Sequence, residues 1–187
     1  MITKTEIQVE NGHFTPEIMH RLGKVGDVQV SPNHAKILYG VTYTSIEQNK
    51  GNRELYLMNV DGSENVKITN TPKSESNARW INDSQIIYMR SGKLYTATIE
   101  GSTLKNEKEV AGAEGMESFE LSPAGDKLMF IKSVKAAQKP TDVYADLDKS
   151  SGRTYTDLMY RHWDHFVEEV PHTYVASFNG TQISGVT

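Results

Sequence analysis

The sequence has no cysteine in its 187 residues. Disulfides, a thiolate nucleophile and cysteine-ligated zinc are therefore excluded. Cytosol and bacterial periplasm remain equally open, since both accommodate a chain without cysteine. No apolar run approaches the roughly 20 residues needed to span a bilayer, so no membrane contact is expected. Positive charge is not in excess: 20 Lys and Arg stand against 24 Asp and Glu, a formal net charge of −4. That balance lacks the basic footprint of a nucleic-acid binder. The opening "MITKTEIQVE" has no apolar core of a signal peptide, although a leader replaced by Met1 would leave the same start. The chemical motifs G-x-S-x-G, the phosphate loop, the dinucleotide fingerprint and H-E-x-x-H do not occur. Neither a cofactor nor a self-contained hydrolytic apparatus is expected.

What is present is repetition. "VSPNHAKILYG" begins at Val30, "RWINDSQIIYM" at Arg79 and "LSPAGDKLMFI" at Leu121. Aligned on Ser31, Ile81 and Ser122, they are spaced by 50 and 41 residues. That spacing suits four-stranded propeller blades. In each unit a polar corner separates two strand-like runs, and Asp61-Gly62, Glu100-Gly101 and Asn179-Gly180 supply later hairpin turns. The polar stretch "TSIEQNKGNRE" lengthens the first interval. The hydrophobic fraction of 37% supports a packed core. The alternative fold is an antiparallel sandwich, whose turns fall at similar intervals.

The expected fold is all-β: a partial β-propeller of about three to four four-stranded antiparallel blades. Residues 1–26 form an N-terminal arm with a short helix opened by Thr15-Pro16-Glu17, a favoured cap followed by a favoured first residue. Residues 27–187 form the partial propeller, with blades at 27–70, 77–111 and 116–187, the last interrupted by an insert at 133–171. The second half of the insert is expected to be helical, because Met159, Trp163, Phe166, Val167 and Val170 make an apolar stripe at helical spacing. Asp157 and Arg161 would pair on its other side, and Pro171 would end it. Three blades fall short of the roughly four to eight of a closed propeller. The chain therefore reads as a piece of a larger protein, and its open blade edges invite association with another copy.

Candidate functional residues lie in this insert. His162, Asp164, His165 and Glu168 could share a helix face and converge on a metal, but capping and packing explain them as well, and no metal is assigned. Glu168 and Glu169 would stand at the negative end of a helix, where an external cation relieves their repulsion. A peptide ammonium is one such cation. Asn82-Asp83-Ser84 and Asn179-Gly180-Thr181 match the glycosylation sequon, yet both fall at turns that account for the same residues. Trp80, in place of a Ser-Pro residue, reads as core.

"VSPNHAKILYG", "GNRELYLMNVDGSENVKIT", "KSESNARWI" and above all "SSGRTYTDLMYRHWDHF" resemble the propeller domain of the prolyl oligopeptidase family, in its dipeptidyl-peptidase and acylaminoacyl-peptidase-like branch. The resemblance runs from about Thr15 to the end. It implies a serine peptidase whose N-terminal propeller covers a C-terminal α/β-hydrolase domain, gates entry of short peptides and helps hold the substrate's N-terminal amine. Glu168 and Glu169 are similar in type to the family's amine-binding glutamates, and Asp164 is a rival for that role. The hydrolase portion is not in this sequence. The resemblance favours the periplasm or secretion over the cytoplasm. The other reading is a stand-alone propeller-like module that binds a protein partner and has no peptidase activity.

Overall fold

The computed structural model describes residues 2, 4–9, 11–156, 158 and 160–187. Helix α1 (Pro16–Arg21) opens as expected, with the Thr15 hydroxyl accepting from the Ile18 amide at 3.4 Å. It packs on the first sheet. That sheet consists of β1 (Lys24–Val30), β2 (Lys36–Ser45), β3 (Lys50–Asn59) and β4 (Val66–Lys67). The second consists of β5 (Glu75–Trp80), β6 (Gln85–Arg90), β7 (Lys93–Glu100) and β8 (Thr103–Glu109). The third begins with β9 (Ser118–Leu121) and β10 (Lys127–Lys135). The chain then leaves it for α2 (Pro140–Val143) and the short strands β11 (Arg161–His162) and β12 (His165–Phe166). It returns as β13 (Glu169–Phe178) and β14 (Ile183–Ser184). All three four-stranded sheets are antiparallel, and their strands run in chain order outward from β1, β5 and β9.

The sheets stack in series. β1 lies beside β5 and β5 beside β9, so the first strands gather on one side, as around a propeller axis. Two separate cores result. Leu38, Leu55 and Leu57 meet Trp80, Ile86, Tyr88 and Ala97 between the first and second sheets. Ile87, Met89 and Leu94 meet Phe119, Leu128, Phe130 and Phe178 between the second and third. Successive residues of a strand face opposite ways. Strand β6 thus sends Ile86 and Tyr88 into one core and Ile87 and Met89 into the other, which is why "IIYM" shows no polar alternation. A sandwich with a single interior is excluded by this arrangement.

The repeated corner has one chemistry in two spellings. The Ser31 hydroxyl accepts from the Lys36 amide at 2.9 Å, and Ser122 does the same for Lys127 at 3.0 Å. In the middle unit Asn82 takes over: its Oδ1 accepts from the Ser84 and Gln85 amides at 3.0 and 2.9 Å. Asn179 repeats this with Thr181 and Gln182 at 3.0 and 2.9 Å. Both sequon asparagines are therefore engaged in their turns. Trp80 is core, with its indole N–H donating to the Gln29 carbonyl at 3.2 Å.

Among the described residues, the expected helix in the second half of the insert does not form. Residues 161–166 instead make a hairpin turning at Trp163-Asp164, with Trp163 at φ 53° and 89% exposed. Asp157 and Met159 lie outside the described residues. The cause is local and tertiary. Histidine, tryptophan, phenylalanine and valine are poor helix formers that suit extended backbone. In addition, β13 pairs with β10 from Ser177 opposite Lys127 to Glu169 opposite Lys135, drawing Glu169 and Val170 into the sheet. Pro171 does not end a helix. It sits in β13 opposite Ser133, where β14 does not reach, so its missing N–H leaves no ladder bond unmade. Among the described residues of the insert, the one helical turn is α2, with Pro140 at its start.

Candidate functional site

Beyond the blade core, β10 and β13 continue as a ribbon that carries residues 136–168. Its base is closed by the Ala136 amide donating to the Glu168 carbonyl at 2.8 Å. Gln138 and Thr154 then exchange backbone hydrogen bonds at 3.4 and 3.0 Å. At α2, the Asp142 carboxylate accepts from the Lys139 amide at 2.7 Å and pairs with the Lys135 ammonium. These contacts, Lys135 foremost, hold the Asp142 carboxyl below the usual aspartate range.

The centre of the insert is an ion cluster under an aromatic layer. Glu168 Oε2 meets Lys139 Nζ at 2.9 Å, and its Oε1 meets Arg153 Nε at 2.6 Å. Bonds from Lys139 and then Arg153 hold the Glu168 carboxyl below its ordinary value. The Arg153 guanidinium lies 4.6 Å from the Phe166 ring centre, and that of Arg161 lies 5.6 Å from it. Tyr155 stacks on Phe166 at 6.3 Å and meets Tyr160 at 5.6 Å. The Val167 amide donates to the Tyr160 carbonyl at 2.9 Å and lengthens the hairpin.

The three acidic candidates are placed differently from one another. Glu168 has both carboxylate oxygens bound to cations of its own chain. Glu169 opens β13 opposite Lys135 and is exposed. Asp164 lies at the hairpin tip with its side chain 82% exposed, 3.1 Å from His165 Nδ1. That contact lowers its carboxyl. His162 meets His165 edge-on at 5.7 Å. Among the described residues, no three His, Asp or Glu side chains converge as metal ligands would. Sequence reasoning passed over Lys139 and Arg153, which neutralise Glu168. The signal available was the arginine between Gly152 and the threonine- and tyrosine-rich run that follows.

A second polar centre lies in the scaffold. Glu75 is fully buried and holds Arg90 Nε at 2.7 Å. Arg90 also pairs with Glu107 at 2.8 Å and lies over the Tyr95 ring at 5.0 Å. Tyr88 bonds to the same Glu107, and burial followed by that bond pushes its hydroxyl up. Glu54 is also buried, with Oε2 accepting from the Thr69 hydroxyl at 2.7 Å. Burial raises its carboxyl against the pull of that bond, and nearby Glu75 raises it further.

No family model matches the chain. Its sequence is 34% identical to dipeptidyl-peptidase 5 of Porphyromonas gingivalis over 168 residues, covering 88% of this chain and 25% of that protein. It is 33% identical to dipeptidyl-peptidase 5 of Porphyromonas endodontalis over 178 residues, covering 92% and 26%. The fold matches an acylaminoacyl peptidase of Pyrococcus horikoshii with a TM-score of 0.64 and 17% identity, over 90% of this chain and 25% of that one. In sequence and fold the chain is similar to the propeller portion of prolyl oligopeptidase-family peptidases. A second structure, an acylaminoacyl peptidase in complex with Z-Gly-Gly-Phe-chloromethyl ketone, matches the propeller segment with the same TM-score at 15% identity. The segment spans about a quarter of the length of the curated relatives it matches.

Proposed function

We propose that this propeller segment serves a serine peptidase that acts at peptide N-termini, as a non-catalytic cover over a C-terminal α/β-hydrolase domain. The supporting observation is the one-third identity, along nine-tenths of the segment, to two proteins named dipeptidyl-peptidase 5. A stacked-sheet cover limits entry to short, flexible peptides, and an insert that rises from its third blade can reach toward the substrate.

In this reading the insert also holds the substrate's free amine. Glu168 is the weakest of the three candidates, because Lys139 and Arg153 already neutralise it. Glu169 and Asp164 carry the proposal, being exposed carboxylates on the strand start and the hairpin tip. The test is steady-state hydrolysis of a dipeptidyl chromogenic substrate by the peptidase that contains this segment. Glu169→Gln or Asp164→Asn should raise KM about tenfold with kcat little changed, the pattern of lost uniform binding, worth about 1.4 kcal/mol. Unchanged KM in both variants would remove amine recognition from the insert and leave the cover role standing.

A further inference from the structure

Between the β11–β12 hairpin and the ribbon of β10 and β13 there is a cavity of about 410 Å³. That is the size of a cleft for a small organic ligand, roughly 300–1,000 Å³. Ala136, Tyr155, Val167 and Val170 give it apolar walls, while Arg161 and His162 supply nitrogen groups. The Tyr155 hydroxyl is buried and has no hydrogen-bond partner among the described residues.

The surrounding charges decide what could enter. Glu168 is answered by Lys139 and Arg153, Asp142 by Lys135, and Asp164 by His165 at the tip, while Asp146 and Asp148 do not line the cavity. Glu169 belongs to the face of β13 opposite Val170, since neighbouring strand residues point to opposite sides. Among the described lining residues, the one permanent charge is therefore the Arg161 guanidinium. The guanidinium lies 5.6 Å from the Phe166 ring centre, and its planar N–H edge is its hydrogen-bonding side. That edge matches a carboxylate with two parallel hydrogen bonds.

We propose that this cavity is a binding site for a small ligand that joins an apolar, ring-sized body to a single carboxylate. The apolar walls take the body, and Arg161 takes the charge. The site stands on the insert's own residues and does not depend on the peptidase reading. The carboxylate could be a peptide chain end or an acidic side chain, and the two sources are separable.

Calorimetric titration of the full chain with 3-phenylpropionate and its neutral isostere 3-phenylpropionamide tests the proposal directly. The carboxylate should bind at least tenfold more tightly, and Arg161→Gln should bring it down to the level of the amide. Equal affinity for the two probes, or binding of neither, overturns the site. That comparison needs only the unaltered chain, so it stands even if Arg161→Gln fails to fold. With the site upheld, tighter binding of N-acetylphenylalanine than of N-acetyl-aspartyl-phenylalaninamide identifies a chain end, and the reverse order an acidic side chain.

Discussion

Glu54 and Arg90 show how the same scaffold treats buried charge in two ways. Arg90 is surrounded by Glu75, Glu107 and two tyrosine rings, so its charge is answered on every side. Glu54 has hydroxyl and amide donors from Thr69 and Thr71 but no cation within ion-pair distance among the described residues. Its carboxyl is raised by burial first and by Glu75 in addition. A raised carboxyl favours the protonated native state. Its contribution is whole below the unfolded value and is lost as the pH climbs through the native one. Glu54→Gln removes the titrating group while keeping an acceptor. The variant should match the parent in thermal stability near pH 4 and exceed it near pH 7. Parallel melting curves at both pH values would show that Glu54 does not titrate in the native protein. None of this was legible in "NRELYL", where Glu54 reads as an ordinary exposed strand position. The corner residues were legible, since Ser31 and Ser122 need only local backbone to do their work.

At the scale of elements, the insert is where periodicity misled. Phe166, Val167 and Val170 sit at helical spacing, but the nine paired positions of β10 and β13 claim the last of these for the sheet. A nonlocal ladder cannot be read from a window of a dozen residues. Aromatic stacking of Tyr155 on Phe166 then fixes the hairpin, and the Lys139–Glu168–Arg153 cluster ties its root to α2. Arg153→Ala removes one cation from Glu168 and uncovers one face of Phe166. Backbone amides of residues 160–168 should then exchange with solvent faster, while those of β6 and β10 keep their protection. Acid should loosen the same region. Glu168 and Asp142 are both held below their ordinary values, so their contribution is complete above the normal carboxylate range. It disappears as the pH falls through the depressed values. Equal exchange in the Arg153→Ala variant and the parent would show that the cluster does not order the insert.

For the whole molecule, the repeated phrase carried the architecture because each blade must bury both faces of its neighbours. The middle sheet does so, with β6 feeding two cores. The outer sheets have another sheet on one face only, and the other face of the first is covered in part, at Tyr39 and Val41, beside the N-terminal arm. In the first sheet, Leu38 points into the shared core, so Ile37 and its neighbour across the ladder, Val30, belong to the other face. Val30 is 50% exposed there. In the third, Leu128 and Phe130 fill the core while Met129 and Val175, paired across β10 and β13, face outward. Met129 is 49% exposed. One copy thus offers two different apolar sheet faces, each of the kind that a further blade covers in a propeller. A contact between unlike faces does not close on itself after two copies, so it propagates unless rotation seals a ring. The chain on its own should therefore show a light-scattering mass that rises with concentration rather than stopping at a dimer. Val30→Lys and Met129→Lys together should return it to the mass of one chain, since a buried lysine at either face costs the contact its driving force. A mass that stays at one chain for the unaltered protein at high concentration would mean that these faces need no cover in water.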